Sequence, residues 1–219
     1  MNASLLLSYA LKFVIIFPSI ILHEVAHGYM AYRLGDPTAK NAGRLTLNPI
    51  KHIDPIGTIF LPLLLIVTTG GFIGWAKPVP FNPMYFKNRR LGELLTGIAG
   101  PVTNLIIAIV FGLSLRFMPI PQTGISLGQF TSVYNVFVYV AWANLALMFF
   151  NLVPIPPLDG SRVLQHFLPD AVRRGYQSME RYGFMILFGL LYIAPWIWSG
   201  YIQYTAVPVF ELLSGLKMM

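Results

Sequence analysis

Long apolar runs separated by short polar loops organise this chain, with little of the alternation that marks half-buried strands or surface helices. The first run opens near Asn2 to Ser4 and reads LLLSYALKFVIIFPSIILHEVAHGYMAYRL. It stops at Gly35-Asp36-Pro37, where a glycine is followed by a residue that cannot continue a helix. This predicts a span over 5–27 whose polar residues come late. Lys12 lies close enough to the start to snorkel, and Pro18 removes one rung of the hydrogen-bond ladder. Two more runs predict spans over 94–115, with Gly100-Pro101 near its opening, and over 133–153, closed by Pro154, Pro156 and Pro157. A fourth, 184–204, is expected to span once although Pro195 interrupts it, with an interfacial or short helical tail to Met219.

The run 56–75, IGTIFLPLLLIVTTGGFIGW, has spanning length but contains Pro62 and Gly70-Gly71. Charge decides how to read it. Lysine and arginine number four in 33–54 (Arg33, Lys40, Arg44, Lys51), four in 77–90 (Lys77, Lys87, Arg89, Arg90), one in 116–130 (Arg116) and four in 162–181 (Arg162, Arg173, Arg174, Arg181). If 56–75 enters and leaves on one side, all three basic loops lie in the cytosol and the poor one outside, as the positive-inside bias prefers. The expectation is therefore a re-entrant hairpin shielded by protein, with both termini outside. Gly70-Gly71 and Gly74 would serve a moving gate or simply a tight turn. The fold expected is an all-α polytopic membrane protein of about four to six transmembrane helices, with a re-entrant or membrane-embedded hairpin after the first helix. A single domain over 1–219 is expected, since no repeat, low-complexity tract or appended soluble domain is visible.

Composition agrees. Of 219 residues, 56% are hydrophobic and 11% charged, with a mean hydropathy of +0.65; a lipid bilayer is the natural surrounding. The first run lacks a basic leader and a small-residue cleavage site, so no removable signal is expected. The net charge of +7 belongs with basic cytosolic loops and not with nucleic acid, because no stretch interleaves dense Lys/Arg with aromatics. With no cysteine, a metal site must use nitrogen and oxygen ligands.

The chemistry is concentrated in His23-Glu24-Val25-Ala26-His27. Residues four apart on a helix differ by about 40° in direction and roughly 6 Å in height, so His23 and His27 can reach one zinc ion. Glu24 is rotated by about 100°, where its carboxylate can meet a water instead of the metal. Zinc lowers the pKa of its water from ~15.7 to about 7, and a neighbouring carboxylate takes the proton and returns it to the leaving amine. A shuffled chain with four His and four Glu shows this pattern on the order of once in a thousand, which favours chemistry over three polar residues bonded in a bundle core. A catalytic zinc needs a third ligand, and the candidates are His52, Asp54, Glu93, Asp159, His166, Asp170 and Glu180. Asp159 stands out because prolines must break the helix before it and turn its carboxylate inward, although Asp159-Gly160 is also ordinary turn chemistry.

HEVAH late in an apolar helix, GIAGPVTNL (97–105) and NLVPIPPLDG (151–160) occur in an order that resembles the site-2 protease family of intramembrane metalloproteases, over roughly residues 15 to 165. The resemblance implies one zinc ion per chain held by His23, His27 and Asp159, with Glu24 as general base. It further implies that Asn151 positions or polarises the scissile carbonyl; Asn104 would orient the helix around the site or pack as an ordinary polar residue. The segment GRLTLNPIKHIDPIGTIFLP (43–62) looks like a compact branch of that family, without a preceding helix, a PDZ insertion or a nucleotide-sensing domain. In it His52 and Asp54 would touch the site, bind substrate or belong to an interfacial loop. The function implied is cleavage of transmembrane protein substrates, in a bacterial or archaeal cell membrane, with the active site open toward the cytosol. A metal transporter or sensor could use the same His and Asp, but would have no need of Glu24; a scaffold retaining the motif would hold no zinc.

Overall fold

The computed structural model describes residues 3–69, 74–121, 124, 125, 127, 130 and 132–218. Helix α1 (Ala3–Arg33) carries Pro18 without breaking. It ends where expected: Leu34 N–H donates back to Met30 O (3.0 Å) and Gly35 takes a φ of 104°. The buried Asp36 then ties this corner to a distant segment, accepting from the N–H groups of Thr38 (2.9 Å) and Asn82 (2.6 Å), and the short α2 (Thr38–Asn41) follows.

Asp54 caps a π-helical stretch, Pro55–Phe60, by accepting from the N–H groups of Ile56 (2.9 Å) and Gly57 (2.7 Å), and this stretch runs straight into α3 (Leu61–Thr69). The chain then returns to its own start. Trp75 N–H donates to Gly57 O (3.1 Å) and Thr58 Oγ1 donates to Trp75 O (2.8 Å). Both ends of 56–75 thus lie together, as a hairpin requires and a through-span forbids. The approach needs glycine, since a Cβ on Gly57 would stand 2.1 Å from the Trp75 ring. Gly70 and Gly71, expected as a hinge or turn, fall outside the described residues; Gly74 is packed, its place for a Cβ lying 2.8 Å from Gly57 O. From Gly74 to Asn82 the backbone has no regular secondary structure.

Helix α4 (Arg89–Ser114) begins five residues before its apolar run because Asn88 accepts from Leu91 N–H (3.1 Å) and caps it; hydropathy registers only the apolar middle. Pro101 sits inside it. Helix α5 (Val133–Leu152) follows, then α6 (Asp159–Phe167), α7 (Asp170–Ser178), α8 (Gly183–Ile193) and α9 (Pro195–Ser214). Where one span was expected over 184–204, two helices meet at Ala194 and bend by 89°. Pro195 supplies no N–H and forces the residue before it from helical geometry, leaving Ala194 at φ −129° and ψ 55°.

Among the described residues there are only helices and irregular segments. Three helices are long and apolar enough to cross a membrane: Leu7–Arg33, Arg89–Phe117 and Val133–Leu152. The bent pair makes a fourth if it counts as one span. Helix α4 is central. Ala108 from it, Val138 and Leu145 from α5, and Ala206 and Phe210 from α9 form the main apolar core. On its other side Val102, Ile106, Val110 and Leu113 repeat at helical spacing and stay exposed, the stripe expected where a helix meets lipid.

The three basic loops meet at one end of this bundle. Arg44 Nη2 donates to Lys77 O (2.6 Å), Arg90 pairs with Asp170, and Glu93 is held by Arg89 (2.9 Å) and by Arg173. Arg116 sits at the far end of α4, donating to the carbonyls of Leu212 and Leu213. His52 is wholly buried with Nε2 2.8 Å from Thr46 O, and His166 Nδ1 lies 3.2 Å from Arg90 O. Glu93 and Arg173 keep only 11% and 9% of their side chains exposed, whereas Asp170 keeps 79%. Glu93→Ala, which strands the Arg173 charge, is expected to cost about 3–5 kcal/mol, against less than about 1 kcal/mol for Asp170→Ala. Denaturant unfolding in detergent, followed by circular dichroism, measures the difference.

Candidate active site

His23 and His27 lie one turn apart on the buried face of α1, and Asp159 is the first residue of α6. The break before Asp159 is built by the proline-rich turn, with Ile155 N–H bonded to Val153 O (2.8 Å) and Leu158 N–H to Ile155 O (2.9 Å). Gly160 lets α6 press against the end of α5: a Cβ there would stand 2.1 Å from Leu152 O. The carboxylate is thereby brought to the histidines. His23 Nε2 and His27 Nε2 are 3.0 Å apart, and each is 3.2 Å from Asp159 Oδ2. These three residues form a group able to hold a metal ion. His52, Asp54, Glu93, His166 and Asp170 are engaged by the partners described above and do not join it; neither does Glu180, which lies on the turn Met179–Tyr182.

Both imidazoles are oriented from behind. His23 Nδ1 donates to Asn104 Oδ1 (2.6 Å) and His27 Nδ1 to Thr96 O (2.6 Å), so in the neutral rings both Nε2 lone pairs face Asp159. Asn104 Nδ2 donates in turn to Asn144 Oδ1 (2.8 Å), and Asn144 Nδ2 donates to Val140 O (2.8 Å) and Ser19 Oγ (3.1 Å). Asn104 is therefore a hydrogen-bond partner of His23. Sequence reasoning missed Thr96, Asn144 and Ser19. Asn144 left a signal, a side-chain amide inside an apolar span; Thr96 takes part through its carbonyl and left none.

A cavity of about 310 Å³ opens beside the three atoms, lined among others by Glu24, Asn151, Leu158 and Arg162, and by the irregular segment at Ala76 and Val79. Val79 N–H donates to Glu24 Oε2 (2.9 Å), leaving Oε1 free for other partners. Asn151 Nδ2 donates to Leu147 O (3.0 Å), which occupies one of its two N–H groups. All five residues singled out for chemistry thus surround one space.

Comparisons with known proteins point the same way. Residues 11–122 and 120–194 match Peptidase family M50. A Bacillus subtilis (strain 168) protein named "Putative zinc metalloprotease YwhC" is 44% identical over 177 residues, 81% of this chain and 77% of its own length. "Putative zinc metalloprotease Rip2" of Mycolicibacterium smegmatis (strain ATCC 700084 / mc(2)155) is 30% identical, over 84% of this chain and 69% of its own. "Zinc metalloprotease MJ0392" of Methanocaldococcus jannaschii is 28% identical over 84% of this chain, but only 44% of its own length. No solved structure matches. Long apolar helices, a buried group of two histidines and an aspartate, and a match over most of the length lead to one conclusion: the chain belongs to peptidase family M50, as a membrane metalloprotease.

Proposed function

We propose that the protein is an intramembrane zinc endopeptidase that hydrolyses peptide bonds in or near the transmembrane helices of other membrane proteins. In this reading His23, His27 and Asp159 hold one zinc ion, Glu24 is the general base and Asn151 orients the scissile carbonyl. The observation that carries it is the convergence of the two Nε2 atoms and Asp159 Oδ2 beside Glu24 in one cavity.

The donor set fits zinc. Ligands about 2.0–2.1 Å from a tetrahedral ion stand about 3.3 Å from one another, close to the separations of 3.0 and 3.2 Å. Asp159 Oδ2 is buried and makes no hydrogen bond. A Cβ on Gly100 would stand 2.4 Å from His27 Nε2 and 2.6 Å from His23 Nε2, so the bare backbone of α4 keeps clear the space an ion would take. When bound, zinc supplies a Lewis acid and acidifies water. Glu24, steadied at Oε2 by Val79, has Oε1 to accept a proton from the attacking water and pass it to the leaving nitrogen. The second N–H of Asn151 is available to the developing oxyanion.

The gathering of all three basic loops at one end of the bundle supports a cytosolic position for that end. His27 and Asp159 lie toward it, so the site opens to the cytosolic side. The bacterial and archaeal sources of the relatives support a prokaryotic cell membrane.

Glu24→Gln is expected to retain zinc and lose about 10²–10⁴-fold in cleavage of a membrane-peptide substrate. Retained cleavage would overturn the reading, and metal flux into vesicles unaffected by the change would make the protein a transporter. Asn104→Ala, which strips His23 Nδ1 of its acceptor, should weaken zinc affinity by about 10–100-fold in a competition titration with a chelating dye. Gly100→Ala should lose bound zinc with the helical circular dichroism unchanged, whereas Gly189→Ala, where a Cβ meets nothing within 4 Å, should keep it.

A further inference from the structure

The cavity contains one cation that the reaction described above does not use. Arg162 follows Asp159 by three residues on α6, so the two side chains leave the same face of the helix one turn apart, and Arg162 lines the same cavity as Glu24. Its stem is seated against α4, where the place for a Cβ on Gly97 lies 3.0 Å from Arg162 Cβ. Its guanidinium carbon sits 4.4 Å from the centre of the Phe81 ring, and Phe81 comes from the irregular segment that also supplies Val79. A cation–π contact with an apolar ring supplies no oxygen acceptor, so the guanidinium keeps N–H groups for a bidentate partner.

No such partner is present among the described residues. Acidic side chains of the neighbouring elements have other partners: Glu24 accepts from Val79, Asp36 from Thr38 and Asn82, Glu93 pairs with Arg89 and Arg173, and Asp170 with Arg90, while Asp159 Oδ2 is directed at the two histidines. Apolar Leu158, Leu187 and Phe184 line the same space. A guanidinium turned into such a cavity loses hydration, and a bound carboxylate restores what it lost.

We propose that Arg162 is a specificity-determining residue that receives an acidic side chain of the substrate peptide. An extended peptide advances about 3.3 Å per residue. With the scissile carbonyl at Asp159 and Arg162 one helical turn away, the favoured aspartate or glutamate lies within about three residues of the bond that is cut. The inference rests on the protease reading, and two measurements on the full chain in zwitterionic detergent separate them.

In the first, the unaltered protein is given transmembrane peptides carrying Glu, Gln or Lys at each of three positions on either side of the bond, and products are read by mass spectrometry. Cleavage of any of them supports the protease reading. In the second, binding of the same peptides to the Glu24→Gln protein is followed by fluorescence anisotropy, which needs no turnover. The Glu peptide is expected to bind about tenfold more tightly than its Gln counterpart at one position. Adding Arg162→Gln should bring that ratio to about one, and Arg162→Glu should invert the order in favour of Lys, with zinc content unchanged in both. A ratio near one in the Glu24→Gln protein, or a ratio that survives Arg162→Gln, overturns the proposal whether or not the unaltered protein cleaves.

Discussion

Two imidazole nitrogens and a carboxylate oxygen, all electron-rich, face one another across 3.0 to 3.2 Å inside a bundle of apolar helices. Left alone, such a group is unfavourable, because burial removes the water that would separate the lone pairs. A divalent cation between them reverses the sign of the interaction. Three elements make that geometry: α1 brings both nitrogens, the broken end of α5 brings the oxygen, and α4 stays bare at Gly100. In the proposed reading, zinc affinity and the packing of α1, α4 and α6 are one property.

Which ring nitrogen carries the proton is decided far from the metal site. A backbone carbonyl can only accept, so Val140 O turns the Nδ2 side of Asn144 toward itself and its Oδ1 away. That oxygen claims Asn104 Nδ2, which turns Asn104 Oδ1 toward His23, and His23 must then protonate at Nδ1. A rigid helical backbone in α5 thus sets the tautomer of a side chain on α1. The amides are buried and cannot exchange these partners for water, so the orientation holds without the metal.

Much of this was legible in the sequence. The spans over 94–115 and 133–153 were readable because a membrane helix must be continuously apolar, and the hairpin at 56–75 because basic loops share a side. The 89° bend within 184–204 was less legible: composition counts apolar residues, while Pro195 acts through one missing N–H and one steric clash. At the site, helical geometry put His23 and His27 on one face of the first span, and the structure brings their Nε2 atoms to 3.0 Å. Asp159 stood out among seven candidates through the prolines before it and the family resemblance; spacing alone says nothing about what a proline-broken chain turns toward, and the fold turns it onto the histidines. Thr96 was beyond reach, because any residue has a carbonyl. Val79 was hidden for the same reason, its contribution being a backbone N–H.

That last contribution gives a physical reason for a non-helical segment beside the site. A helix spends its own N–H groups internally, so it has none to offer a carboxylate in the middle of a span. A donor for Glu24 must come from non-helical backbone, which is tolerable at that depth only if its remaining polar groups are met. Neighbouring elements meet part of this condition for the segment 74–82. Trp75 and Lys77 pair their N–H and C=O groups with Gly57, Thr58, His52 and Arg44, and Asn82 N–H goes to Asp36. Pro78 and Pro80 have no N–H to satisfy, which leaves Val79 between them as the single donor of that stretch, and Glu24 takes it. The hairpin before the segment, the buried His52 and the capped corner at Asp36 are the supports that allow one amide to stand beside Glu24.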